Sequence, residues 1–575
     1  MKKTLFSFLL LSFVSLVCGA KPNGIDSSGL QLEWGKYEKI GKKLYGKEIV
    51  YENSDFVYVI EKENKNINLL FFEISKPHGL ILSVYRSHGL IIINSNKLKF
   101  PKSDVKYEYS ILKLGEIENK LYVFIKAHHP KTDEVKLLVQ ELASNGTQKG
   151  FIYEVDAGVA TKSAGLFKKT KLTNFSVQLS PDGTKIGIVK FNSVQEDQPL
   201  SIGYKMLDAS LKAVWSGSIE LPYKQQFFDL TSYEMGNDGQ LFLLGKAWKL
   251  EWKFGSSGKS KTKISKQKKG LPNYSYKCLI FEIKTKTLKQ VDVGVKDSYV
   301  TDVSMRYLQD SNQLYLAGFF SEQWGSSIRG TFNKSIDVEL AQVVQAKQKK
   351  FNQRFLELFL SSKKVKKLQG GKNGNYELAN FRLDNLTIKE DGSALVVAEQ
   401  YYVKMNTSST VESDGFISTR TNYTYHYGDI VAVYINQNGE IRWTAKIPKH
   451  QISYNDGGPF SSYIINVERD KVYLVFNDHR NNVENWNEGK EIQKMGSPRS
   501  SITVVVSINN QGIMKREQLF SAKESNVVFR PKSSWYNRDT RGSNRIYLFG
   551  LNYKLFSRAK FKLGSLTFPR NTVSD

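Results

Sequence analysis

Cysteine is almost missing from this chain: Cys18 and Cys278 are the only two in 575 residues. No disulfide framework is available, so stability has to come from core burial and hydrogen bonding. Cys278 lies inside the hydrophobic run YKCLIFEIK and reads as a buried, inert thiol. The seven histidines are scattered. No HExxH occurs, and His128-His129 has no Cys or further His at metal spacing. There is no GxSxG elbow and no glycine-rich phosphate loop. The NDGG at 455–458 and the Asp-Gly turns lack the alternating oxygen ligands of a calcium loop, so turn chemistry accounts for them. No metal and no cofactor is expected. Proline is scarce, with 13 copies, and after the first twenty residues no run of about 18 apolar residues occurs.

What is present begins with MKKTLFSFLLLSFVSLVCGA: two lysines, a short apolar stretch and a small-residue exit. This is the pattern of a secretory signal peptide over residues 1–20, cleaved after Ala20, which makes the expected location periplasmic or extracellular. Acylation at Cys18 is the rival reading, but Val17 stands where a lipoprotein signal usually has a small residue. The formal net charge is +27. A basic exported protein is drawn to polyanions, so the expected partner is a protein or an anionic polysaccharide or lipopolysaccharide, with no specific nucleic acid. Aromatic residues make up 12% of the chain, with Tyr and Phe dominant, which favours strands.

The organisation is a repeat. LSPDGTKIGIVKF at 179–191 combines an Asp-Gly turn with a short apolar strand, and similar strands recur as LYVFIKA, QLFLLGKAW, QLYLAGFF, ALVVAEQYY, KVYLVFND and RIYLFGLNY. Several follow turns such as GNDGQ and KEDGS, and each is followed by a second apolar run that often turns back as a third strand. The unit is an antiparallel meander repeating every ~50–75 residues. Such meanders bury both faces only by packing on neighbours, which predicts an all-β fold, a β-propeller of seven or eight four-stranded blades over residues 21–575. In this reading the turn and strand of 179–191 form the inner strand of a blade. LQLEWGKYEKI at 30–40 is an orphan strand, and the last copy lacks an outer one, so the two ends of the chain are expected to share a blade.

Two stretches interrupt the pattern. Residues 246–269 hold nine lysines against one glutamate and read as a solvated loop insertion. Lys259, Lys261, Lys263, Lys266, Lys268 and Lys269 make it a candidate polyanion contact. Residues 336–367 place Ile336, Leu340, Val343, Phe351, Phe355, Leu358 and Phe359 at helical spacing, which predicts an inserted amphipathic helix, packed on the propeller rather than on a membrane. A further candidate loop site is FNDHRNN, where Asn477, Asp478, His479 and Arg480 gather at a strand end. Its competing reading is ordinary turn chemistry, since Asp478 and His479 point apart on a strand.

LSPDGTKIGIV resembles the repeat of periplasmic TolB-type propellers, within the wider WD40-like class. GTFNKSID, ALVVAEQYYV, TRTNYTYHYGDIVAVYINQNGEIRWTAKIPKHQ, NDGGPFSSY and KVYLVFND, spanning 330–478, resemble a group of secreted bacterial proteins of uncharacterised function. That resemblance implies an exported propeller and transfers no catalytic residue. The expected function is a non-enzymatic binding scaffold acting through loops on one face. The alternative is a hydrolase acting on polysaccharide or peptide, which for glycosides requires two carboxylates converging at the central channel, roughly 5–10 Å apart.

Overall fold

The computed structural model describes residues 29–39, 47–69, 72–101, 107–159, 174–191, 198–254, 260–266, 272–323, 327–369, 376–389, 391–411, 417–468, 471–486, 491–534, 544–552 and 560–569. The expected signal peptide and Cys18 lie outside them. Among the described residues the strands form eight antiparallel blades with a path of four strands each, in chain order except in the last, whose fourth strand comes from the beginning of the chain. Blade 1 begins at Lys47–Glu52, blade 2 at Glu108–Ile117, blade 3 at Asn174–Leu179, blade 4 at Phe228–Met235, blade 5 at Tyr299–Leu308, blade 6 at Phe381–Ile388, blade 7 at Ile464–Glu468 and blade 8 at Val528–Phe529.

Eight apolar clusters hold the blades together, each shared by two neighbouring sheets. Tyr58, Leu82, Leu121 and Val123 join blades 1 and 2, and the series runs round through the blade 6/7 cluster of Leu395, Ile430, Leu474 and Val504. The last cluster packs Tyr547, Phe549 and Leu563 of blade 8 on Ile49, Val57 and Tyr85 of blade 1. The series therefore returns to its start, and the fold is a closed β-propeller. From blade 1 to blade 6 the first strands of neighbouring blades touch one another, which places them around the central axis.

Closure is made by the orphan strand. Gln31–Trp34 pairs antiparallel with Lys560–Thr567, from Gln31 opposite Thr567 to Trp34 opposite Gly564, and Glu38–Lys39 extends the same ladder. The Trp34 ring lies over Gly550 and Gly564, where an added Cβ would stand 2.9 and 2.6 Å from it. It also meets Phe520 of blade 7 edge-on at 5.5 Å. One side chain near the beginning of the chain thus seals the last two blades.

The recurring apolar run is the second strand of each blade, not the innermost one expected from the sequence. Gln313–Ser321 is buried at every position after its first, and Lys471–Asp478 likewise. Second strands are covered on both faces and both edges, so they read as continuous apolar runs. First strands line the channel and are only partly buried, as Phe228–Met235 is. In 179–191 the turn links first strand to second: Gly183 takes φ +68°, while Asp182 accepts from the Thr184 amide at 3.0 Å.

Residues 336–367 do not form one helix. Ile336 ends the third strand of blade 5, Gly330–Asp337, and Val343 lies on its outer strand, Gln342–Lys350. Helix is confined to Gln353–Glu357 and Ser362–Gln369. The apparent helical spacing joined a strand's alternation to a short helix, and an eight-residue ladder from Gly330 to Asp337 outweighs the helical option for 342–350. The packing expectation holds for the helix that does form: Phe351 and Phe355 are buried in the blade 5/6 cluster. Asn352 caps it, accepting from the Phe355 amide at 2.8 Å. The lysine-rich stretch is also more ordered than a loop, since Leu250–Phe254 pairs with Ser260–Ile264 as a hairpin. No helix among the described residues is long and apolar enough to cross a membrane.

Trp34→Ala is expected to lower unfolding free energy by about 2–4 kcal/mol, as a large core truncation, read as a fall in the denaturant midpoint. An unchanged midpoint would show that closure does not rest on this strand.

Candidate functional site

Antiparallel alternation puts the start of every first strand and every second-to-third connection at the same end of the ring. Three hairpins rise from that end: the blade 1 hairpin of Phe56–Leu69 and Phe72–Arg86, the lysine-rich hairpin of blade 4, and the long blade 6 hairpin of Ala394–Val411 and Ile417–Ile435. Between blades 6, 8 and 1 the channel mouth opens into a cavity of about 250 Å³. Its lining includes Lys47, Lys62, Arg530 and Lys532 against Glu48 and Asp456.

Lys532 is the best-placed cation. Its ammonium donates to the Tyr427 hydroxyl and to the Gly457 carbonyl at 2.6 Å. Tyr427 in turn donates to the same carbonyl at 2.9 Å. Burial pulls the Lys532 ammonium below the usual lysine range, and the nearby Glu399 charge opposes that. Gly457 belongs to the NDGG turn. Gly458, at φ +68°, passes so close to the Tyr427 ring that a Cβ would stand 2.6 Å from it. The turn is therefore a wall of the cavity. Lys47 and Lys62 are held by Glu61 at 3.2 Å and Glu48 at 3.5 Å.

Behind the cavity lies the start of blade 6. In blades 1, 2, 4, 5 and 6 the pairing of first with second strand skips one residue near the start. The skipped residues are Val50, Leu112, Thr231, Thr301 and Asp384. Thr231 and Thr301 turn back to backbone carbonyls at 2.9 and 3.1 Å. Blade 6 alone of these five puts a carboxylate there, and a bulge re-aims the side chain it carries. Asp384 is bound by Arg382 at 3.1 Å. Burial, aided by the Glu399 charge and opposed by Arg382, pushes its carboxyl up to about 6. The Arg382 guanidinium lies over the Tyr401 ring at 4.9 Å, and Tyr401 meets Tyr427 at 4.9 Å.

Three carboxylates thus gather at this end of the channel, but two are committed elsewhere. Glu399 is fully buried, paired with Lys449 at 2.7 Å, and accepts from Ser462 at 2.8 Å. Asp302 accepts from the Leu383 and Val303 amides at 2.8 and 3.0 Å. Asp302 and Asp384 are both partly exposed and burial raises both carboxyls, but each Asp302 oxygen already accepts a backbone amide, which leaves Asp384 as the less committed acid.

The residues singled out at 477–480 support this site from below. Asn477 and Asp478 are fully buried. Asn477 donates to the carbonyls of Phe460 and Phe529 at 2.9 and 2.7 Å, joining blades 7 and 8. Its own carbonyl accepts from Gln451 at 2.7 Å, whose other side-chain atom accepts from Lys449 at 3.1 Å. Asp478 is locked to Arg516, with both side chains wholly buried, and accepts from Asn482 at 2.8 Å. The expected loop site is thereby narrowed to His479 and Arg480, which lie at the surface beyond the buried pair. The lysine candidates are dispersed: Lys261 and Lys263 fall on the blade 4 hairpin, Lys266 is exposed after it, and Lys259, Lys268 and Lys269 lie outside the described residues. Arg382, Asp384 and Tyr427 of blade 6 and Lys532 of blade 8 were not legible locally because they meet only across separate strands and, for Lys532, across blades. The one local signal was the NDGG turn.

No protein-family model and no curated protein matches the sequence. Among solved structures, propeller-like proteins are similar in chain course. A prolyl endopeptidase is 9% identical, with 88% of this chain and 54% of that chain covered and a TM-score of 0.38. The polysaccharide lyase Uly1 is 11% identical, covering 82% and 94%, with a TM-score of 0.35. A catalytically inactive virginiamycin B lyase from Staphylococcus aureus is 10% identical, covering 72% and 98%, with a TM-score of 0.28. This chain spans 54% of the length of the prolyl endopeptidase. At these identities and scores no substrate and no residue role carries across.

Arg516→Met is expected to cost about 3–5 kcal/mol in chemical denaturation, because it strands Asp478 as an uncompensated buried charge. Replacing both partners by apolar residues should recover most of that loss. A pair that tolerates either single change without loss would be free to act on a ligand instead.

Proposed function

We propose that this protein is an exported, non-enzymatic propeller that binds an anionic ligand at the mouth of its channel. The observation that carries the reading is the cavity between blades 6, 8 and 1, where four cationic side chains face two carboxylates and Lys532 sits at the wall. The +27 net charge supports it by raising the local concentration of polyanions. So does the lysine-rich hairpin rising from the same end. Export rests on the signal-like first twenty residues and on the resemblance of 330–478 to secreted propellers. A group of anionic oxygens, carboxylate or sulfate, is the chemistry such a cavity recognises.

Digalacturonate is a suitable small probe. Lys532→Ala should weaken its binding at least about tenfold by calorimetry, the scale of one charge-assisted hydrogen bond. Undiminished affinity in that variant would remove the cavity from the function.

Binding should also depend on pH. As pH rises through about 6, Asp384 acquires its charge beside Arg382, so affinity for an anion falls from pH 5 to pH 7.5. Asp384→Asn should abolish that fall. A profile identical in the variant would place Asp384 outside the site.

Hydrolysis is the second reading, favoured by the acid of raised pKa at Asp384. Release of new reducing ends from polygalacturonate, lost in Asp384→Asn, would establish it over binding alone.

A further inference from the structure

The Thr/Tyr-rich stretch TRTNYTYHYG forms half of the blade 6 hairpin, which runs on beyond the body of its sheet in unbroken register from Tyr401 opposite Tyr427 to Val411 opposite Ile417. Strand alternation puts Tyr401, Val403, Met405, Thr407 and Ser409 on one face, with Tyr427, Tyr425, Tyr423, Thr421 and Thr419 across from them. The short strand Gln451–Tyr454 pairs alongside and widens the platform near the cavity. This is the face that meets the cavity, because the Tyr427 hydroxyl on it accepts from Lys532.

Moving outward from Lys532, the face passes Tyr427, buried under the NDGG turn, and then presents Tyr425 and Tyr423 one step of about 7 Å apart. The Tyr423 and Tyr425 rings are 6.5 Å apart and inclined by 29°. Tyr423 is 41% exposed and Met405 opposite it is 62% exposed. Farther out the face becomes a hydroxyl ladder, with Thr407 and Thr421 3.2 Å apart and Ser409 and Thr419 3.3 Å apart. Nothing among the described residues covers Tyr423 or Met405.

We infer that this face is a stacking platform continuous with the cavity, and that the ligand is an acidic polysaccharide chain. One charged sugar sits at Lys532, and the following sugars lie along the tyrosines. Flat tyrosine rings suit the apolar faces of pyranoses, the flanking hydroxyls match sugar hydroxyls, and the step between rings is comparable with the advance from one sugar to the next. Charge complementarity at the inner end and continuity with the cavity set the occupant and its direction. The inference rests on the cavity reading above and names its ligand class.

The test is calorimetry of the full chain with oligogalacturonates of two to eight sugars, with a poly-dT oligonucleotide and an acidic peptide as competing probes. Wild-type affinity should rise at least about tenfold between the dimer and the hexamer. The double variant Tyr423→Ala with Tyr425→Ala should lose that gain while binding the dimer as before. Tyr423→Trp should keep the gain, which separates stacking from a folding defect, and melting of each variant checks the fold directly. A hexamer bound no more tightly than the dimer, or a double variant that keeps the full gain, overturns the platform and leaves the cavity reading standing. Absence of any galacturonate binding, dimer included, overturns both. Preference for the oligonucleotide or the peptide over the hexamer overturns the polysaccharide assignment.

Discussion

Everything in this molecule depends on the ring being closed. A four-stranded blade has two apolar faces and cannot bury either alone, so each depends on the next, and the eighth depends on the first. Closure is achieved by the ladder between Gln31–Trp34 and Lys560–Thr567 and by the apolar cluster between blades 8 and 1. With one buried free cysteine, Cys278, no covalent clasp substitutes for it. The Cys278 thiol is pushed up to about 12 by its burial, consistent with a packing role.

Closure also creates the site. Lys532 follows the shortest first strand, Val528–Phe529 in blade 8, and reaches Tyr427 and Gly457 of blade 6 only because blades 7 and 8 are held in place. The buried chain from Glu399 through Lys449 and Gln451 to Asn477 ties blades 6 and 7 together beneath the cavity. These groups are costly to bury and each is satisfied by a partner in another strand or blade. The charged layer thus reads as a rigid floor under an open, cationic mouth.

The departure of blade 6 from its siblings is informative because a propeller contains its own controls. Val50, Leu112, Thr231 and Thr301 show what the bulge position needs for folding: an apolar residue, or a threonine that satisfies itself on the backbone. Asp384 meets neither need, and its burial is offset by Arg382 and by the Tyr463 hydroxyl. The same blade carries the hairpin that extends farthest from its sheet. Both departures are at the same end and on the same side of the channel.

Strand content, the meander repeat, the packing of Phe351 and Phe355 and the pairing of the chain's two ends were legible in the sequence. Each follows from local pattern: alternation, Asp-Gly turns, and one strand too many at one end with one too few at the other. Which strand of the meander is innermost was not legible, because a run buried on both faces looks the same wherever it lies in a sheet. Neither was the strand character of 342–350, which is decided by a partner five to twenty residues away. Asn477 and Asp478 showed polar residues at a strand end, but their burial against Arg516 and Phe529 belongs to neighbouring strands and blades. The sequence by itself determined the unit and its repetition. Only the tertiary structure decided the site, because closing the ring brings Lys47 and Lys62 of blade 1, Asp456 beside blade 6 and Lys532 of blade 8 to a single opening.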